Sequence, residues 1–146
     1  MRFSAAILAF AASALADSRT SAPEGALVVG GDGSYSTVQE AVDALDTSTS
    51  SEQSIFINPG TYYEKVYIQE LSGPLSVYGY TSDTDSYSSN EVTISESGSQ
   101  ADGTNNDETA TLRVWASNVK VYNLNLENIY GEGSQALAVS ASADVS

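Results

Sequence analysis

The stretch Asn118-Val119-Lys120-Val121-Tyr122-Asn123-Leu124-Asn125-Leu126-Glu127-Asn128-Ile129 constrains the fold more than any other part of the chain. Val119 and Val121 alternate with polar neighbours on one parity, Leu124 and Leu126 on the other, and neither glycine nor proline stands between the two pairs. Side chains of a strand alternate between faces with a period of two. A change of parity without a hairpin turn bends the chain and does not reverse it, so the same side stays buried around a corner.

Other short apolar or alternating runs precede and follow this corner: Ile55-Phe56-Ile57, Val66-Tyr67-Ile68, Leu75-Ser76-Val77, Val92-Thr93-Ile94, Leu112-Arg113-Val114 and Leu137-Ala138-Val139. Pro-Gly, Ser-Gly, Asn or Ser/Asp loops separate them, which describes an all-β domain. A sandwich and a β-solenoid both satisfy that description. Runs of about three residues joined by bends favour the parallel β-helix, whose coils also let Asn residues such as Asn123, Asn125 and Asn128 hydrogen-bond along the axis.

One segment departs from this pattern. Val38, Ala41, Val42 and Leu45 fall at i, i+3, i+4 and i+7, which predicts an amphipathic helix of about ten residues with Ser36 as N-cap and Gln39 completing a capping box. It follows the strand Leu27-Val28-Val29 and the turn cluster Gly30-Gly31-Asp32-Gly33-Ser34, and a Ser/Thr-rich loop follows it over residues 46–54. A helix ahead of the first coil is well placed to cap a solenoid.

Residues 1–16 read as a secretory signal peptide: Arg2 precedes an apolar run over residues 3–12, and the segment ends in Ala14-Leu15-Ala16. The run is half the roughly 20 residues a membrane span needs. Residues 17–146 are then the mature, extracellular part, and no cysteine is present to staple it. All 19 acidic residues and four of the five basic ones lie beyond residue 16, giving that part a side-chain charge of −15. Such a polyanion repels nucleic acid and anionic membrane, which excludes both as expected partners. With no histidine or cysteine, neither a Ser-His-Asp triad nor a histidine or thiolate metal site can be built from these residues. No cofactor or metal is expected; Asp83-Thr84-Asp85 is the nearest approach to a calcium loop.

Four segments, in order, resemble the pectin methylesterase (pectinesterase) family in its fungal form. They are Gly31-Asp32-Gly33-Ser34-Tyr35-Ser36-Thr37-Val38-Gln39-Glu40-Ala41-Val42, Asn58-Pro59-Gly60-Thr61-Tyr62-Tyr63-Glu64-Lys65-Val66, Thr109-Ala110-Thr111-Leu112-Arg113-Val114 and Gly133-Ser134-Gln135-Ala136-Leu137-Ala138-Val139. The first two occur in spirit in other polysaccharide-active β-helices, whereas the last two are more discriminating. The resemblance implies a right-handed parallel β-helix, incomplete at its C-terminus in this chain, with an N-terminal capping α-helix. Residues 17–146 would be the N-terminal part of an enzyme, monomeric when complete, that hydrolyses galacturonate methyl esters of pectin. In that family one aspartate attacks the ester carbonyl, a second is general acid and base, glutamine amides stabilise the oxyanion and an Arg orients the nucleophile. The aspartates belong to motifs resembling Gln-Asp-Thr-Leu and Asp-x-x-x-Gly. Neither occurs in these residues, and Asp144 matches neither, so no catalytic residue is assigned within the chain.

The resemblance transfers a substrate contact to Thr111 and to Gln135. They are 24 residues apart, close to one coil of roughly 20–25 residues, so stacking on one sheet would bring them about 4.8 Å apart. Gln135 shares the parity of Leu137 and Val139, which points it inward unless the strand begins after it. A buried polar ladder and a substrate contact both remain open for it. Tyr62, Tyr63, Tyr67, Tyr78 and Trp115 offer flat apolar faces to a sugar or to the core, and none is assigned. The competing functions are a pectate lyase or polygalacturonase on the same fold, and a noncatalytic polysaccharide-binding β-helix.

Overall fold

The computed structural model describes residues 17–142. The signal-peptide reading of residues 1–16 and the reading of Asp144 lie outside the described residues.

Ten strands and one helix run in the order β1 (Leu27–Val29), α1 (Val38–Asp43), β2 (Gln53–Ile57), β3 (Gly60–Tyr63), β4 (Val66–Ile68), β5 (Leu75–Gly79), β6 (Val92–Glu96), β7 (Leu112–Val114), β8 (Val119–Tyr122), β9 (Asn125–Asn128) and β10 (Val139–Ala141). Among the described residues every pairing between these strands is parallel, and the strands sort into three sheets ordered β1-β2-β5-β8, β3-β6-β9 and β10-β7-β4. Three consecutive strands, one from each sheet, make one turn of a right-handed parallel β-helix, the handedness such crossovers take.

Small corners let so short a strand work. The parity change at residues 118–129 is produced by Asn123, whose φ of 55° lies in the left-handed region, and Asn118 at φ 58° makes the corner before β8. Asn is among the few residues with a Cβ that adopt this conformation readily. Asn123 Nδ2 also donates to Asn90 Oδ1 at 3.2 Å and to the Thr84 carbonyl at 3.2 Å, so the corner is tied to the coil before it. Asn125 and Asn128 likewise donate to Thr93 and Asn90, and to the carbonyls of Gly98, Thr109 and Leu137. The expected Asn bonding along the axis is present, but its partners are mostly neighbouring backbone and not a stack of identical residues.

Inward positions of the three sheets, among them Ile55, Ile57, Val66, Ile68, Leu75, Val77, Val92, Ile94, Leu112 and Val114, form one buried core, with Val38, Ala41 and Val42 of α1 closing it. Burying such side chains contributes about 1.5–3 kcal/mol each before chain entropy is subtracted. Outside the first sheet, the Tyr78 and Tyr122 rings stack at 5.2 Å. Arg19 lies over both, bonds Asn123 Oδ1 at 2.9 Å, and exchanges backbone hydrogen bonds with Thr81, strapping the start of the described chain across the coils.

The helix differs from its expected bounds. The N-cap is Thr37, not Ser36, and the box is closed by Glu40, not Gln39: Thr37 Oγ1 accepts from Glu40 N at 3.1 Å while the Glu40 carboxylate accepts from the backbone of Ser36 and Thr37. A carboxylate that satisfies two N–H groups outcompetes the neutral Gln39 amide. Gln39 is used elsewhere, its Oε1 accepting from Tyr67 N at 2.7 Å and its Nε2 donating to Tyr67 O at 3.2 Å. Strand β3 is absent from the runs that alternation predicts, because Gly60-Thr61-Tyr62-Tyr63 carries no aliphatic alternation; Tyr62 alone packs against the core, its hydroxyl donating to Asn58 O at 2.9 Å.

The remaining free N–H groups of α1 are satisfied from a distance. Glu64, between β3 and β4, accepts from Val38 N at 3.0 Å and from Gln39 N at 2.8 Å, fastening the cap to the first coil. Glu64→Ala is expected to cost about 2 kcal/mol, at the upper end for a lost cap, because two buried-side donors lose a charged acceptor together. Chemical denaturation of the two forms checks this; an unchanged midpoint would contradict the pinning role.

Candidate functional site

A parallel β-helix presents its outward residues in rows along the axis. Strand pairing places Tyr67, Arg113 and Ser140 in one row on the β10-β7-β4 sheet. Their inward neighbours Val66, Ile68, Leu112 and Val114 are buried, which fixes the row outward.

Asp107, in a 3-10 turn over Asp107–Thr109 just before β7, organises this row. Its carboxylate accepts from Ser140 Oγ at 2.6 Å and from Arg113 Nε and Nη2 at 2.9 and 2.5 Å. The Ser140 hydroxyl first, then the Arg113 guanidinium, hold the Asp107 carboxyl below its ordinary value of 3.8, with a smaller contribution from the Trp115 indole. The Arg113 guanidinium carbon lies 4.8 Å from the centre of the Tyr67 ring, and the Trp115 ring stands nearly perpendicular to Tyr67 at 6.4 Å.

The two residues assigned from resemblance do not lie side by side. Val139 pairs with Leu112, so the coil here is 27 residues long and the 24-residue spacing from Thr111 to Gln135 falls three short of register. Thr111 is 0% exposed; its hydroxyl donates to Glu127 O at 2.7 Å and its N–H to Leu137 O at 3.2 Å. It therefore has no surface with which to meet a polymer, and the expectation of a Thr111 contact beside Gln135 is corrected. Its hydroxyl stitches the β9 end of the coil to the approach of β7.

Gln135 is exposed. Its backbone carbonyl accepts from Gln100 N at 3.0 Å, anchoring the residue against the previous coil. Strand β10 begins only at Val139, so the parity argument that pointed Gln135 inward does not reach it. The side-chain amide is presented on the approach to the β10-β7-β4 sheet, with two N–H donors and a carbonyl acceptor.

Sequence reasoning missed the Asp107 and Ser140 parts of the outward row. Alternation alone could have turned Tyr67 and Arg113 outward, but nothing in the sequence pairs residue 67 with residue 113 across two insertions. At the Asp83-Thr84-Asp85 loop, Asp83 Oδ1 accepts from Asp85 N at 2.9 Å, a turn closing on itself, and among the described residues no group of three or more His, Cys, Asp or Glu side chains is placed to hold a metal ion.

The architecture defines a parallel β-helix protein with polar and aromatic rows exposed along one sheet. A model of the pectinesterase family matches residues 26–146, and the chain belongs to that family. It is similar to a pectinesterase of Aspergillus niger, 54% identical over a 138-residue alignment that covers 92% of this chain and 41% of that protein. A pectinesterase of Aspergillus aculeatus is 52% identical over 140 residues, covering 92% of this chain and 42% of that protein. Among solved structures, the Aspergillus niger pectin methylesterase superposes with a TM-score of 0.80 at 45% identity, over 86% of this chain and 42% of that one. A carrot pectin methylesterase gives a TM-score of 0.71 at 26% identity, over 83% and 37%. The chain thus spans about two fifths of the length of these relatives.

Proposed function

We propose that the protein containing this chain hydrolyses the methyl esters of galacturonate units in pectin, giving a carboxylate and methanol. The observation that carries this reading is Gln135: in a member of the pectinesterase family, an exposed primary amide anchored by its backbone to a rigid solenoid. When an oxygen nucleophile adds to the ester carbonyl, the carbonyl π electrons move to oxygen, and a fixed amide N–H donor stabilises that negative charge more than it does the neutral carbonyl. Collapse of the tetrahedral centre then expels methoxide, protonated by a general acid to methanol, and water, deprotonated by the same group acting as base, hydrolyses the mixed anhydride left on the attacking carboxylate to free the galacturonate carboxylate. The carboxylates for attack and proton transfer belong to motifs that these 146 residues do not contain. The contribution of this segment is oxyanion stabilisation and substrate placement.

Residues 1–16 direct the protein out of the cell on this reading, where pectin is found. The pectin it engages is the methylated form, because a charge of −15 on residues 17–146 repels a polygalacturonate and tolerates its near-neutral ester. Binding of the full-length protein to pectins of graded methylation should weaken as methyl groups are removed, with the gradient flattened by salt. Affinity that rises with de-esterification and is lowered by salt would contradict the substrate assignment.

A further inference from the structure

We propose that Asn128 and Thr109 are positioning residues for Gln135, fixing the backbone that carries its amide without themselves touching the substrate. The inference rests on the Gln135 reading above for what is positioned, and on hydrogen bonds which that reading does not use for how.

Residues 129–138 join β9 to β10 with no helix or strand of their own, and Gly131 and Gly133 within them have φ of 86° and 113°. Such a connection has no ladder to hold it in place. Its second half is nevertheless bonded repeatedly. Gln135 O accepts from Gln100 N at 3.0 Å, Leu137 N donates to Thr109 Oγ1 at 3.2 Å, and Leu137 O accepts from Thr111 N at 3.2 Å and from Asn128 Nδ2 at 3.1 Å. Leu137, two residues beyond Gln135, therefore has both of its backbone groups held by side chains.

Asn128 gathers more than Leu137. Its Nδ2 also donates to Gly98 O at 2.8 Å and Thr109 O at 2.9 Å, while its Oδ1 accepts from Tyr130 N at 3.1 Å. A primary amide has two N–H donors, so three carbonyls around Nδ2 share them. The reverse orientation would set Oδ1 against three carbonyl oxygens and Nδ2 against an N–H, which leaves one way round for the group. Gly98 and Thr109 stand near the two ends of the excursion over residues 97–111 between β6 and β7, and that excursion also supplies Gln100 N to the Gln135 carbonyl. Asn128 thus ties the end of β9, the excursion and the Gln135 segment to one point.

Thr109 completes the clamp from within the protein. It is 0% exposed, and its hydroxyl donates to Asn106 O at 2.7 Å while accepting from Leu137 N, so it has no surface with which to meet a ligand. What the clamp fixes is the place of the Gln135 backbone relative to the rest of its coil. Misplacing a catalytic group by about 1 Å can cost about 10²-fold in rate.

A double-mutant cycle in the full-length protein tests this, with methylated pectin as substrate and at a temperature where circular dichroism shows every variant folded. Asn128→Ala should lower kcat about 10- to 10²-fold with KM unchanged, and by no more than Gln135→Ala does, since it acts through that amide. In the Gln135→Ala background the same substitution should change kcat by less than about twofold, because the group it positions is gone. Thr109→Val removes the acceptor of Leu137 N with little change of shape and should behave alike, whereas Thr109→Ser keeps the hydroxyl and should recover most of the loss. The Thr109 pair decides the matter should Asn128→Ala fail to fold. Losses that persist in full without the Gln135 amide, or a kcat equal to that of the parent in both Asn128→Ala and Thr109→Val, would overturn the positioning role and leave the esterase reading standing. Normal turnover in Gln135→Ala alone would overturn the oxyanion role and its positioning together, and a parent protein that releases no methanol from any pectin would remove the esterase reading and this role with it.

Discussion

Gln135→Ala is expected to lower methanol release by the full-length protein about 10²–10³-fold, the loss typical of one oxyanion donor. The physical case is that a fixed donor stabilises the developing oxyanion far more than the ground-state carbonyl, so its removal acts on kcat more than on KM. Stability should hardly move. Gln135 is exposed, its anchoring bond to Gln100 is made by the backbone, and truncation leaves that bond in place. Gln135→Glu is expected to be at least as poor, because a carboxylate facing the oxyanion opposes it. Methanol release and thermal unfolding measured on the same preparations decide the matter: normal turnover with a lowered melting temperature would make Gln135 a structural residue.

Gly79→Ala has the largest expected effect on folding. Gly79 ends β5, and a Cβ built on it would lie 2.2 Å from the Asn123 carbonyl oxygen and 2.7 Å from Leu124 Cδ2. The nearest obstacle is backbone of the next coil, at the corner that the left-handed Asn123 turns. Relief requires the coils to part, breaking ladder hydrogen bonds and opening the core, so the cost should reach or exceed the roughly 1–3 kcal/mol of ordinary overpacking. Gly103 provides the contrast. A Cβ there meets nothing within 4 Å, and its φ of 81° leaves only a conformational penalty of about 1–2 kcal/mol. Denaturant midpoints of Gly79→Ala and Gly103→Ala check the ordering; a Gly79→Ala protein as stable as the parent would mean that the coils are not packed as described.

The solenoid was legible because its information is local. The parity change between Val121 and Leu124, the three-residue apolar runs and the i, i+3, i+4 pattern of Val38, Ala41 and Val42 each reflect a periodicity confined to a few residues. Strands β9 and β10 start later than expected, at Asn125 and Val139, because the leucines that suggested their starts lie in the corners. The site was less legible because its relations are between coils of unequal length. Gln53 pairs with Leu75, 22 residues on, whereas Leu75 pairs with Val119, 44 residues on. No fixed period predicts register through such insertions, so a uniform coil length sets Thr111 and Gln135 side by side where the 27-residue step from Leu112 to Val139 does not. The same insertions hide the Tyr67, Arg113 and Ser140 row, and the reach of Glu64 back to α1. In each case the sequence names the residue and only the register names its partner.

Product analysis of methylated pectin treated with the full-length protein tests the central claim most directly. An esterase of this family must release methanol and new carboxylate groups one for one while leaving the polymer length unchanged, since only the C6 ester bond is broken. Methanol matched by carboxylate, without new reducing ends or unsaturated uronates, is the predicted result. Shortened chains, bearing either new reducing ends or unsaturated uronates and unaccompanied by methanol, would contradict it.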